Sequence, residues 1–175
     1  MYSYEQVMSF DDTPISGAST AGQQMVPIKK KKSIKADSSI ELRGPMEVDG
    51  SVKSMGAITF NGDFLVHDRI EAYGNIDLDG NLTCNGKVKA FGNVKINGTA
   101  LCVDKVKIFG KLKIIGTLEI QAPVEVWGAL TINGCLKCKS LTAYASVTTV
   151  GDQSWYEVEE EEVVHGAKLI QRDNW

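Results

Sequence analysis

Four cysteines, two histidines and two runs of like charge are the residues through which this chain could do chemistry. Cys135-Leu136-Lys137-Cys138 has the CxxC spacing of a zinc or redox half-site. It stands alone, and in an extended segment Cys135 points out while Cys138 points in, so the two thiols do not converge on one metal. Cys84 and Cys102 lie eighteen residues apart. In a reducing compartment they are expected to stay as small buried thiols rather than a disulfide. His67 sits beside Asp68 at a turn, and neither it nor His165 belongs to a catalytic constellation. Lys29-Lys30-Lys31-Lys32, with Lys35 following, suits anionic lipid, a nuclear address or an acidic protein partner, against the plainer reading of a solvated linker. Glu159-Glu160-Glu161-Glu162 reads as a solvated acidic face. The two runs have opposite sign, so they can attract each other within one chain or between neighbours.

The element that must carry these residues is set by a glycine slot recurring every six positions. Gly44, Gly50, Gly56 and Gly62 start the series, and Gly74, Gly80, Gly86, Gly92, Gly98, Gly110, Gly116, Gly128 and Gly134 keep its phase. Slots without glycine hold Asp68, Asp104, Ala122, Ser140, Ser146 and Asp152, mostly small or turn-tolerant residues. The residues four and two before a slot are apolar, as Ile76 and Leu78 are before Gly80, with a polar residue between them. Each hexad therefore reads as a short strand with one buried face, followed by a corner. A long unbroken series of such units predicts a solenoid.

Every third hexad shares a further feature. The residue before the slot is Met55, Tyr73, Phe91, Phe109 and Trp127 in turn, while the other two registers carry different residue types. Three distinct columns predict a triangular coil of eighteen residues. The inward columns are then Leu42, Phe60, Leu78, Ile96, Ile114, Ile132 and Val150; Val48, Val66, Cys84, Cys102, Ile120 and Cys138; and Ser54, Ala72, Ala90, Ile108, Val126 and Tyr144. The last grows from small to large, which predicts a change of packing along the rod. Residues 38–151 make about six coils, a rod roughly 30 Å long.

The flanks differ in composition. Residues 1–37 carry five lysines against four acids and are expected to form a disordered tail through Met25, ending in the lysine run. Residues 152–175 carry seven acids against two basic residues and are expected to form an acidic tail or a cap. The net charge of −3 argues against a nucleic-acid partner. No apolar run approaches the ~20 residues of a membrane span, and the N-terminus has no basic-then-apolar signal pattern. These features predict a cytoplasmic protein, with membrane association through the lysine run as a further option.

The motif apolar-x-apolar-x-Gly, as in Val48-Asp49-Gly50 and Ile76-Asp77-Leu78-Asp79-Gly80, resembles the bactofilins, a family of polymer-forming cytoskeletal proteins. The resemblance covers residues 38–151. It implies a right-handed three-sided parallel β-helix between flexible tails, nucleotide-independent filaments and a scaffold role, with no cofactor. The aromatic column and the acidic C-terminal segment depart from that pattern. The hexad also resembles that of hexapeptide-repeat acyltransferases, but their motif puts an aliphatic residue directly before glycine, where this chain has mostly Asn, Asp or an aromatic.

Physical reasoning reaches assembly separately, because an open β-helix leaves strand edges and core exposed at both ends. The expected end-to-end contacts are Ile40, Leu42, Met46 and Val48 at one end and Leu141, Tyr144, Val147 and Val150 at the other. Tyr73, Phe91, Phe109 and Trp127 form a stripe that either stabilises the corner or pairs filaments laterally. The alternative is a monomer or small oligomer, with Ser154–Gln171 folded back as a cap, that presents one face to a protein partner.

Overall fold

The structure is a computed structural model and describes residues 27–172. The expected disordered stretch through Met25, with Tyr2 and Tyr4, and Trp175 at the other end lie outside the described residues. Those described contain strands and no helix, so no helix among them could cross a membrane. In chain order the strands are β1 (Lys29–Lys31), β2 (Ile34–Ala36), β3 (Ile40–Arg43), β4 (Met46–Val48), β5 (Val52–Ser54) and β6 (Ile58–Val66). Then follow β7 (Ile70–Ala72), β8 (Ile76–Cys84), β9 (Val88–Ala90), β10 (Val94–Cys102) and β11 (Val106–Ile108). The last five are β12 (Leu112–Val126), β13 (Leu130–Ala143), β14 (Val147–Val150), β15 (Trp155–Val164) and β16 (Lys168–Gln171).

All sixteen strands belong to one sheet wound on itself, and every pairing is parallel. The protein is an all-β, three-sided parallel β-solenoid. Its first face stacks β3, β6, β8, β10, β12, β13, β14 and β16. The second stacks β1, β4 and the later halves of β6, β8 and β10, then segments of β12, β13 and β15. The third runs from β2 through β5, β7, β9 and β11 to the ends of β12, β13 and β15. Strands such as β8 and β10 turn the corner between the first two faces without a break.

Within each strand, burial alternates as the sequence pattern requires. The inward side chains form one continuous apolar core from Leu42 to Val147. Where the third inward column is small, at Ser54 and Ala72, Phe60 and Phe64 fill the centre with rings packed edge to face at 5.0 Å. Ser54 is fully buried; its hydroxyl donates to the Ser38 carbonyl at 2.8 Å and accepts from the Gly56 amide at 2.9 Å.

The glycine slots are explained by what lies beneath them. Gly80, Gly98, Gly116 and Gly134 turn the corner between first and second faces with φ of 138°, 137°, 128° and 137°. Each stacks on the corner glycine of the coil below, and a Cβ would run into that residue's carbonyl oxygen. Backbone conformation and backbone proximity both select glycine there.

Three expectations need correction. Each face has eight rungs, so the solenoid has eight coils rather than about six and is about 34 Å long at ~4.8 Å per coil. The extra coils come from the flanks. Lys29–Lys31 pairs in register with Met46–Val48, and Ile34–Ala36 pairs with Val52–Ser54, so the lysine run is a strand of the rod. Backbone pairing does not need apolar side chains, and this strand shows no apolar alternation. At the other end Trp155–Gln171 does not fold back; it continues the parallel stack as the eighth coil.

The hexad phase also slips. Cys138 pairs with Val158 below a second irregularity, and between Ile120 and Pro123 the β12–β13 register shifts by one residue. Ala143 therefore takes the inward place expected for Tyr144, and Thr149 rather than Val150 stands on Ile132. Gly98→Ala, which brings a Cβ onto the Gly80 oxygen at positive φ, should destabilise the fold by about 2–4 kcal/mol in urea or thermal unfolding. Asn97→Ala on the exposed neighbour should cost less than about 1 kcal/mol, and equal costs would contradict the corner argument.

Candidate assembly surfaces

The aromatic column is a physical ladder. Tyr73 packs on Phe91 at 4.9 Å between ring centroids, Phe91 on Phe109 at 5.0 Å, and Phe109 on Trp127 at 5.8 Å. The one-residue slip extends it: Tyr144 stacks on Trp127 at 4.3 Å and His165 on Tyr144 at 5.1 Å. Sequence reasoning missed these last two rungs because their spacing, seventeen and then twenty-one residues, leaves the hexad phase. Lys89 and Lys107 lie over the Phe91 and Phe109 rings at 4.9 and 5.1 Å, and Lys107 also pairs with Glu125 at 3.7 Å. The Tyr144 hydroxyl donates to Glu125, and this bond raises the Tyr144 pKa above the ordinary value. From Phe91 to His165 the successive rings stack close to parallel, whereas Tyr73 is tilted by 44° on Phe91. That geometry stabilises stacked coils.

The ends of the rod differ from the expected contact residues. Met46 and Val48 are covered by β1, and Leu141, Tyr144 and Val147 are covered by Glu162, His165 and Lys168 of the last coil. Val150 is likewise followed by Gln171. Only Ile40 and Leu42, on β3, remain at an edge. Among the described residues the N-terminal edge is β1, β2 and β3, and the C-terminal edge is β15, over two faces, with β16. Each of these pairs on one side only.

The inward positions of the end coils are partly charged. Lys29 and Lys31 stand over Met46 and Val48 at the N-terminal end. At the C-terminal end the places held by Leu136, Leu141 and Val147 one coil below pass to Tyr156, Glu162 and Lys168, one from each face. These three form a network across the core end. The Tyr156 hydroxyl donates to Glu162 Oε2 at 2.5 Å, Lys168 Nζ meets the same oxygen at 2.9 Å, and Nζ lies 5.6 Å from the Tyr156 ring. Burial works to raise the Glu162 pKa, but the bonds from Tyr156 and Lys168 outweigh it and bring it below the ordinary value. The Tyr156 hydroxyl and then Glu162 raise the Lys168 pKa in return. Inward charges of this kind blunt a strand edge against indiscriminate pairing. Ile170 keeps an inward position and is 76% exposed.

The residues with possible chemistry fall elsewhere. Cys84 and Cys102 are free vertical neighbours in the core, and Cys138 is buried beyond them. Burial pushes their thiols up to about 11, about 12 and about 12, where the thiolate needed for attack or ligation is scarce at neutral pH. Cys135 points away from Cys138, and its Sγ meets Thr117 Oγ1 at 3.4 Å. His67 Nε2 lies 2.7 Å from Glu47 Oε2 and 3.9 Å from Asp49 Oδ1, with all three donors within 4.8 Å of one another. The donor types suit a divalent cation. However, the set is solvent-exposed, and the His67 bond followed by the Lys30 charge already holds the Glu47 carboxyl below its usual range. It is a corner hydrogen-bond group in which His67 meets Glu47. An apolar void of about 30 Å³ beside Ile70, Val88, Ile108 and Leu118 has room for a water molecule, not for a metabolite of the size that fills a pocket of about 300 Å³.

No protein-family model, curated protein or solved structure matches the chain.

The polar triad has a pH signature. Glu162 has a lowered folded pKa, so its contribution is present above the unfolded value near 4.5 and is lost as pH falls through the folded value. Lys168, with a raised pKa, stays charged throughout that window. Hydrogen exchange at Trp155–Gln171, corrected for intrinsic rates, should therefore accelerate relative to Leu130–Cys138 below about pH 4. Glu162→Gln should show faster exchange already at neutral pH and a smaller acid step, which separates Glu162 from the outward Glu157, Glu159, Glu160 and Glu161. An unchanged acid step in that variant would contradict the triad's role.

Proposed function

We propose that the protein is a non-catalytic structural element that associates with copies of itself through the ends of its rod and so builds a filamentous scaffold. The observation that carries this reading is the pair of open edges: three strands at the N-terminal end and two at the other, where β15 spans two faces, all pairing on one side only among the described residues. An edge with the twist and register of the sheet it continues is a ready template for another strand. Rod ends related by simple translation give an open chain of subunits. The resemblance of the hexads to the bactofilins points the same way and adds that assembly needs no nucleotide. The partner is the protein itself. The lysine run, now part of an end, leaves contact with an anionic membrane or acidic protein as a secondary use, in keeping with a cytoplasmic, membrane-associated place of action.

A second reading rests on the Tyr156–Glu162–Lys168 network. A closed polar end favours a rod that stays single or forms a small oligomer, an adaptor presenting one face, with the aromatic edge as the most distinctive candidate. Negative-stain electron microscopy of the full-length protein at micromolar concentration, without nucleotide, separates the two. Threads of uniform width at low salt are expected; single particles under every condition would make the adaptor reading the right one. In the same experiment Phe91→Ser/Phe109→Ser removes three ring contacts and should lower stability by about 2–4 kcal/mol while threads persist. Threads lost at unchanged stability would instead assign the ladder to lateral contact.

A further inference from the structure

We infer that the rods join head to tail in one register, with the lysine strand of one copy seated on the glutamate strand of the next. The inference rests on the self-assembly reading above and specifies its polarity and its chemistry. The starting point is the distribution of charge. Lys29, Lys30, Lys31, Lys32 and Lys35 lie on the first coil, and Glu157, Glu159, Glu160, Glu161 and Glu162 lie on the last. Seven coil steps separate them, about 34 Å, so the two sets do not meet along one rod. Between rods they can.

Register makes the match specific. On the second face, the outward residue of β1 is Lys30, which pairs with Glu47, and the outward residue of β15 is Glu157, which pairs with Lys137. A head-to-tail joint that continues this face places them in the order Lys137, Glu157, Lys30, Glu47, with alternating signs through the junction. The corner beside this face repeats the pattern. Lys139 pairs with Glu160 at 3.8 Å at one end, and the Asp49 and Gly50 amides bond the Lys31 and Lys32 carbonyls at the other. The column then reads Lys139, Glu160, Lys32, Asp49. Two independent columns thus alternate across the same junction. Joints between two N-terminal ends or two C-terminal ends set lysine against lysine or glutamate against glutamate, and both are repulsive.

The core ends fit the same joint. The second inward position of each face offers Val158, Val164 and Ile170 from one copy to Lys31, Ala36 and Leu42 of the next. That meeting covers the exposed Ile170 with Leu42. Lys29 and Lys31 can lay their methylene stems over this apolar ring while their ammonium groups reach the glutamate rim. Full burial of these lysines would be costly, so the joint is weak and ionic rather than a sealed hydrophobic contact.

The test is a charge-swap mixing experiment on the full chain, read by light scattering and electron microscopy. Lys30→Glu/Lys32→Glu makes the two outward columns acidic at both ends, and Glu157→Lys/Glu160→Lys makes them basic at both. Each variant alone should raise the concentration needed for assembly by about tenfold or more, and an equimolar mixture should restore it. Wild-type assembly should weaken on going from about 50 mM to about 500 mM salt. Circular dichroism melts establish that the variants fold. If a reversed variant does not fold, the neutral Lys30→Gln/Lys32→Gln pair replaces it and should assemble less, with a flatter salt dependence. Variants that assemble like the wild type, a mixture of folded variants that stays unassembled, or assembly that strengthens with salt would each overturn the head-to-tail joint while leaving self-assembly standing. A wild-type protein that never assembles would overturn both.

Discussion

Backbone stacked directly on backbone at the corners is the constraint on which the rest of this structure depends. Each coil must turn three times in eighteen residues and still leave its carbonyls and amides aligned with those of the next coil. At the corner between the first two faces the stacking is so close that a side chain has no place, and Gly80, Gly98, Gly116 and Gly134 meet that demand at positive φ. With the corners fixed, every straight segment is held in register, and the inward side chains form continuous columns. The outward columns inherit the same order. The aromatic ladder from Tyr73 to Trp127 and the Lys53–Glu71 and Lys107–Glu125 pairs are consequences of corners that hold their phase over those coils.

Much of this was legible in the chain. The glycine phase and the apolar alternation specify strands, corners and a triangular coil, and the aromatic column from Tyr73 to Trp127 emerges where the eighteen-residue period places it. What could not be read were the places where the period fails. One residue fewer in the coil after Ile120 moves Tyr144 from core to surface, and its local mark is a single polar Thr142 at an expected inward place beside Leu141, little to set against a long regular phase. The lysine strand was hidden for a different reason. Strand identity at a solenoid's edge is set by backbone partners, and Lys29–Lys31 has them in Met46–Val48 without any hydrophobic pattern of its own. The Tyr156–Glu162–Lys168 network was equally hidden, since its members are related only through three faces of one coil.

These hidden segments change what the ends are. Reading the rod as residues 38–151 gives two apolar ends and implies a hydrophobic joint. Adding the first and last coils replaces those ends with one basic edge and one acidic edge, each with charges at inward positions. Such edges resist casual pairing, yet they complement each other. On the proposed reading, the same residues limit aggregation and select a second copy in one orientation. The buried thiols have raised pKa values, and the exposed histidine is hydrogen-bonded to Glu47 at a corner, which is compatible with the proposed structural role.

The most direct measurement is helical reconstruction of the assembled protein by cryo-electron microscopy. If coils continue across the joint as they do within the chain, each subunit contributes eight coils and the axial rise is about 38 Å, with an unbroken ~4.8 Å repeat along the filament and no perpendicular twofold axes. A perpendicular twofold axis, or a rise well above that value with a gap in the coil repeat at the joint, would contradict the account.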